Sequence, residues 1–129
     1  MGGPGWDRQP MPVVTEKSEV ISDTLLAYRL AEPVDLILKV HEDILSRKAH
    51  GTEKYKVPLM SHNGRDALMD AYEEIHDFAV YMQQFQMETE HTGEKVALRE
   101  LVKDALVLVC RTKAILLRRE KNGPNRKET

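Results

Sequence analysis

The sequence has little of what disulfide-stapled, zinc-thiolate or membrane proteins need. It contains one cysteine, Cys110, which excludes an internal disulfide framework and a cysteine-based zinc site. The uncharged apolar run 105–110 falls far short of the roughly 20 residues that cross a bilayer. Aromatic residues make up only 5% of the chain, and strand-like alternation of apolar and polar residues is almost absent. We therefore expect an all-α protein with no membrane partner.

Composition and charge further restrict the class of protein and the partners that it can bind. The 129 residues are 41% hydrophobic and 31% charged, which is typical of one soluble domain. A net charge of -2 gives no general attraction to nucleic acid, so no nucleic-acid partner is expected. The first residues carry neither a basic nor an apolar signal region, and we expect a cytoplasmic location. The domain is predicted over 15–121, after a flexible Gly- and Pro-rich arm at 1–14 and before a basic tail at 122–129.

Hydrophobic periodicity predicts one short and three long helices. A short pattern from Val20 to Tyr28 is followed by longer ones over 33–50, 64–87 and 94–121. Gly51 is predicted to end the second helix, and 52–62 to form a loop. Asn63 is predicted to cap the third helix. The run 105–110 is apolar all round, so we expect that part of the last helix, with Cys110, to be buried.

The third helix carries an unusual run of like charge. Between positions 66 and 94 there are eight carboxylates and no Lys or Arg, although the chain holds 19 basic residues. At about 100° per residue, four of these acids fall within roughly 60° of one another: Asp66, Asp70, Glu73 and Asp77. An acidic face is often only a solvated face, but like charges at i,i+4 repel by about 0.2–0.5 kcal/mol per pair. A divalent cation such as Mg²⁺, held by carboxylate oxygens, would offset this repulsion.

Two blocks of sequence carry a family resemblance. The run 63–77 reads NGRDALMDAYEEIHD, and Glu74 and Asp77 in it form an ExxD pattern. Lys54-Tyr55 and Pro58-Leu59 precede this run. Together they resemble the MazG-like all-α nucleoside triphosphate pyrophosphohydrolases, in particular the small phage-encoded ones, which carry EExxE on one helix and ExxD on the next. The resemblance covers 33–87 and implies a MazG-like fold, a host cytoplasm if the chain is phage-encoded, and hydrolysis of (deoxy)nucleoside triphosphates to the monophosphate and pyrophosphate.

The resemblance also implies roles for particular residues. Residues 42–46 stand where EExxE is expected, with Asp43 and Ser46 in place of two of its glutamates. The implied metal ligands, for Mg²⁺ with Mn²⁺ as a substitute, are Glu42, Glu74 and Asp77. Helix geometry adds Asp70, one turn before Glu74, as a replacement for the missing glutamate. The implied catalytic carboxylates are Glu42, Asp43 and Glu73. The implied contacts to the nucleoside triphosphate substrate are Lys54, Tyr55, Asn63 and Arg65.

Two other functions stay open at this point. In the first, the chain keeps the helical scaffold and binds nucleotide or metal without turnover. In the second, it is a helical protein-interaction module whose acidic face docks a basic partner. In every case three helices cover too little of the apolar surface, so we expect a homo-dimer or a tetramer.

Overall fold

Four α-helices and one isolated antiparallel bridge, between Val20 and Met60, are the regular structure of residues 9–122, the part of the chain that this computed structural model describes. The prediction of an all-α fold with three main helices and a short N-terminal one is confirmed. The helices are α1 (Ile21–Leu25), α2 (Val34–Tyr55), α3 (Ala67–Glu88) and α4 (Thr92–Lys121). No helix in the described range is long and apolar enough to span a membrane.

The helices belong to two compact units. The N-terminal unit is Pro10–Arg65 and holds α1 and α2. The hairpin unit consists, in its described part, of Gln9 and 66–122, and it holds α3 and α4. Residues 1–8 of the predicted arm and 123–129 of the predicted basic tail lie outside the described residues.

The hairpin unit is built on two helices that pack side by side. Residues 89–91 connect α3 to α4, and an ion pair joins the start of α3 to the last turn of α4, so the helices run antiparallel. Four hydrophobic side chains are buried between them: Ala79, Leu98, Ala105 and Leu116. At the connection, the Thr89 hydroxyl donates a hydrogen bond of 3.1 Å to Glu94 Oε1. Periodic apolar residues and a short connection therefore produce one core stripe.

The prediction that 105–110 is buried all round is wrong for most of its residues. Ala105 is buried, with 1% of its surface exposed, but the apolar side chains from 106 to 108 are about half exposed. Cys110 is exposed as well. The reason is geometric, because one neighbouring helix covers only one stripe of α4.

Polar contacts join segments of the N-terminal unit that lie far apart in the sequence. Lys48 Nζ of α2 lies 3.1 Å from Asp23 Oδ1 of α1. The main chain near residue 13 is fixed by Val13 N–H, which donates to Asn63 O at 2.7 Å. No residue of α2 is buried, although the helix is amphipathic. Packing in this unit therefore leaves the apolar stripe of α2 accessible.

The predicted end of α2 at Gly51 is wrong. The helix continues for one more turn to Tyr55 and ends where Lys56 adopts a left-handed conformation, with φ at 71°. A glycine inside a helix costs about 1 kcal/mol relative to alanine, which weakens a helix without stopping it. The hydroxyl of Thr52, the first residue of the added turn, also donates to Lys48 O one turn earlier, at 2.7 Å.

The predicted cap of α3 at Asn63 is also wrong. Asp66 is the N-cap, and its Oδ1 accepts a hydrogen bond of 3.2 Å from Met69 N. Asn63 instead accepts from Arg65 N at 3.0 Å, which is a local turn before the helix. Gly64 has a φ of +87°, so the chain cannot become helical before Asp66. The conformation of Gly64 therefore moves the cap from the predicted Asn63 to Asp66.

Candidate functional site

The acidic residues of α3 form a stripe along one side of the helix, and they differ in what they contact. Asp66 and Asp70, at the start of the stripe, are bound by other residues of the hairpin unit. Glu73, Glu74 and Asp77 follow within the next two turns. The stripe therefore has a structural end and an exposed end.

Asp66 has a structural role. Its carboxylate accepts two hydrogen bonds from the Arg119 guanidinium, at 2.9 and 2.8 Å, in addition to capping the helix. The hydrogen bonds from Arg119 lower the pKa of Asp66 below its ordinary value of 3.8, against a smaller opposing effect of partial burial. A bidentate guanidinium–carboxylate pair of this kind fixes both groups geometrically. Asp66 is thus the residue that closes the open end of the hairpin.

Asp70, a predicted metal ligand, is contacted by Gln9. The Gln9 amide nitrogen donates to Asp70 Oδ1 at 2.7 Å and to Asp66 O at 3.3 Å, while its oxygen accepts from Asp66 N. One glutamine side chain therefore binds the first turn of α3 through three polar groups.

Glu74 and Asp77 are the exposed part of the stripe. Both side chains are exposed, and they lie three residues apart on one face of α3. Within residues 9–122 neither carboxylate has a hydrogen-bond or ion-pair partner. Glu73, a predicted catalytic residue, is half-buried beside them. These are the acids of the stripe whose charge nothing in the described chain neutralises.

Glu42 and Asp43 lie in the middle of α2, in the N-terminal unit, and both are exposed. The resemblance makes them partners of Glu74 and Asp77 in one metal site. Their role in such a site stays a prediction, since the two pairs of acids belong to different units.

The predicted substrate-binding residues Lys54 and Tyr55 occupy the C-terminal end of α2. Both are exposed, and Lys54 Nζ lies 5.2 Å from the centre of the Tyr55 ring. A cation over an aromatic face at this distance is a weak attraction that restrains both side chains. A basic and a stackable group therefore lie side by side at a helix end, which suits a phosphorylated nucleoside.

The other two predicted substrate-binding residues, Asn63 and Arg65, participate in the turn before α3. Arg65 donates from its guanidinium to Pro10 O at 2.8 Å, and its main-chain N–H binds the Asn63 side chain. Both side chains are half-buried. Their visible contacts shape the turn, and a contact to substrate stays a prediction.

Sequence reasoning missed two residues of this region. Gln9 lies in a Gly- and Pro-rich segment without periodicity, and Arg119 lies 53 residues from the acid that it binds. The only signal for Arg119 was its position in the last turn of a helix, where basic residues favour the helix dipole. No feature of the sequence therefore identifies the partner of either residue.

The donor set is incomplete as a metal site. Carboxylate oxygens are the ligands that Mg²⁺ prefers, and Glu74 with Asp77 supplies two such groups. However, no group of three or more His, Cys, Asp or Glu side chains that could hold a metal ion occurs among the described residues. No family model, curated protein or solved structure matches this chain.

Proposed function

We propose that the chain hydrolyses (deoxy)nucleoside triphosphates to the monophosphate and pyrophosphate, with Mg²⁺ as the cofactor and Mn²⁺ as a substitute. The observation that carries the proposal is the exposed pair Glu74 and Asp77, three residues apart on α3 and without a partner in residues 9–122. Both residues belong to the run 63–77, which is the more specific part of the resemblance to MazG-like pyrophosphohydrolases.

The like charges along α3 favour the binding of a cation, either alone or together with a polyphosphate. Asp70 and Glu74, and likewise Glu73 and Asp77, are like-charge pairs at i,i+4, and each pair destabilises the helix by about 0.2–0.5 kcal/mol. Helix surfaces that serve only solubility usually alternate charge, because opposite charges at this spacing stabilise.

The other predicted residues take the remaining roles in this proposal. Glu73, adjacent in sequence to Glu74, orients the attacking water as a general base. The resemblance implies carboxylate roles for Glu42 and Asp43 and contacts to the phosphates and the base for Lys54 and Tyr55, and these roles stay predictions. Glu74 and Asp77 would hold Mg²⁺, and the bound ion would neutralise part of the phosphate charge.

The direct test is pyrophosphate release from a panel of ribo- and deoxynucleoside triphosphates in Mg²⁺ or Mn²⁺. We expect release by the native chain, and Glu74→Gln and Asp77→Asn each to lower its rate by about 100-fold or more. Glu90→Gln is the matched control, since Glu90 is an exposed acid in the α3–α4 connection and its loss should leave the rate unchanged. The absence of release from every triphosphate would contradict the proposal.

Thermal unfolding with and without the metal distinguishes the alternatives. A rise in Tm with Mg²⁺ or Mn²⁺ but no turnover would indicate a nucleotide- or metal-binding module. No change in Tm and no turnover would indicate a helical protein-interaction module, which the many exposed hydrophobic side chains of the described residues also favour.

A further inference from the structure

A groove runs along one side of the hairpin, between α3 and α4. Its volume is about 620 Å³, and the surface exposed inside it is almost entirely apolar. The apolar side chains that line it come from both helices and include Val80, Met87 and Leu106, each more than half exposed. Water leaves such a surface favourably when another apolar surface covers it. The groove therefore favours an occupant with an apolar side of its own.

The α3 edge of the groove is acidic. Gln84 and Glu88 line the groove, and the Gln84 amide donates to Glu88 Oε2 at 3.1 Å. Glu73 and Asp77 continue the same row toward the start of α3, because at about 100° per residue these four residues fall within about 60° of one another. A row with three carboxylates and no cation therefore follows this edge.

The α4 edge of the groove is basic. Leu106 lines the groove, and Arg99 and Lys113 lie seven residues before and after it. A spacing of seven keeps side chains within about 20° of one line along a helix. The acids between Arg99 and Lys113 are Glu100 and Asp104, and both lie about 120° or more away from Leu106. The charges that border the groove on this side are therefore positive.

Opposite charges stand level with each other at both ends of the groove. Lys113 Nζ lies 5.5 Å from the centre of the Tyr72 ring, so Lys113 is level with the start of the acidic row at Glu73. Because the helices are antiparallel, Arg99 is level with Glu88 at the other end of the rows. None of these four charged groups forms an ion pair within residues 9–122. The groove thus separates two unpaired edges of opposite sign.

We propose that the groove binds an amphipathic α-helix of a partner protein. The apolar stripe of that helix covers the groove, with basic residues along its edge beside α3 and acidic residues along its edge beside α4. A small apolar ligand would leave both charged edges without partners, and a polyanion or a polycation would be repelled by one of them. Charge complementarity therefore selects a helix with two edges of opposite sign.

The charged rows also set the length and the direction of the bound helix. Each row spans about 15 residues, or about 22 Å at about 1.5 Å per residue, so about four turns of the partner helix are in contact. Turning the partner helix end for end exchanges its two edges and places like charges side by side. The signs of the edges therefore select one direction along the groove.

The first test uses three labelled synthetic helices of about 16 residues that share one leucine stripe. One helix has a basic and an acidic edge, one has two basic edges, and one has two acidic edges. Fluorescence anisotropy measures their binding to the full chain. We expect the mixed-edge helix to bind with a Kd below about 100 µM and the other two at least about tenfold more weakly. A mixed-edge helix with a higher Kd, or one that binds no tighter than the other two, overturns the proposal.

The second test locates the bound helix. Leu106→Glu places a charge in the groove and should weaken binding of the mixed-edge helix by at least about 30-fold. Leu108→Glu is the matched control, since Leu108 is similarly exposed on the same helix but about 160° away, and it should leave binding unchanged. Circular dichroism verifies that both variants stay helical. Equal effects of the two variants contradict the proposal.

The third test reverses the sign of one edge. With Arg99→Glu and Lys113→Glu together, both edges are acidic, and we expect the helix with two basic edges to become the tightest ligand. An unchanged order of affinities contradicts the assigned edges. Because the readout is binding of a peptide, these results are separate from those of the pyrophosphate assay.

Sedimentation equilibrium examines the other possible occupant, a second copy of the chain. We expect Leu106→Glu to leave the oligomeric state of the chain unchanged. Self-association that Leu106→Glu abolishes and Leu108→Glu does not would place a second copy in the groove, and would overturn the assignment of a partner protein.

Discussion

The two units contain helices of equal length and unequal burial. α2 and α3 each have 22 residues and both are amphipathic, yet α3 has buried residues and α2 has none. α3 lies against α4, which is 30 residues long, whereas the other helix of the N-terminal unit has only five residues. An apolar stripe becomes a core only where a second element of comparable length covers it.

The clearest test of this contrast is to truncate one leucine in a long helix of each unit. Leu116→Ala should lower the free energy of unfolding by about 2–4 kcal/mol, since Leu116 is 3% exposed and its removal leaves a cavity. Leu38→Ala in α2 should cost less than about 1 kcal/mol, because Leu38 is 57% exposed. Urea denaturation of the two variants measures both values. Equal losses would show that the two helices are equally covered.

Substitution of two glycines tests the backbone conformation of the N-terminal unit. Gly51 is helical with nothing within 4 Å of an added Cβ, so Gly51→Ala should raise the free energy of unfolding by about 0.5–1 kcal/mol. Gly64→Ala should lower it by about 1 kcal/mol, because its φ of +87° strains any side chain and Val13 lies 3.4 Å from the new Cβ. The measurement is the shift in the urea midpoint at constant slope. A stabilising Gly64→Ala would contradict the turn described before α3.

An effect of similar size is expected at the ion pair that closes the hairpin. Asp66→Asn keeps a capping oxygen but loses the charge, and should cost about 0.5–1 kcal/mol at neutral pH, since both side chains are more than a third exposed. Because the folded pKa of Asp66 is lowered from 3.8, its stabilisation is present above that value and lost as the pH falls through the lowered pKa. Unfolding curves from pH 7 to pH 2 measure this loss. The native chain and the variant should converge at the acid end, and a constant difference across this range would contradict the assignment.

Hydrophobic periodicity was enough to predict the number, order and approximate bounds of the helices. It failed at Gly51 and Asn63, where two local preferences competed and small differences in backbone energy decided the outcome. The prediction for 105–110 was wrong because an apolar run shows which side chains favour burial. It does not show how many neighbouring helices are present to bury them.

The candidate site was predictable only in its local part. The position of Glu74 and Asp77 on one face of α3 follows from their spacing. The structural role that distinguishes Asp66 from the other acids was not predictable. Its partner Arg119 is 53 residues away, and no sequence pattern links the two residues. Long-range pairing depends on how the helices pack, which residue spacing alone does not contain.

The three-residue connection between α3 and α4 has a consequence for the order of folding. Closing it confines very little chain, whereas the contact of Val13 with Asn63 in the N-terminal unit closes a loop of about 50 residues. On a logarithmic scale of loop entropy, the longer closure costs about 2–3 kcal/mol more. We therefore expect the amides of the hairpin to gain protection first in pulse-labelled hydrogen exchange. In that order of folding, α3 and its acidic stripe form before α2.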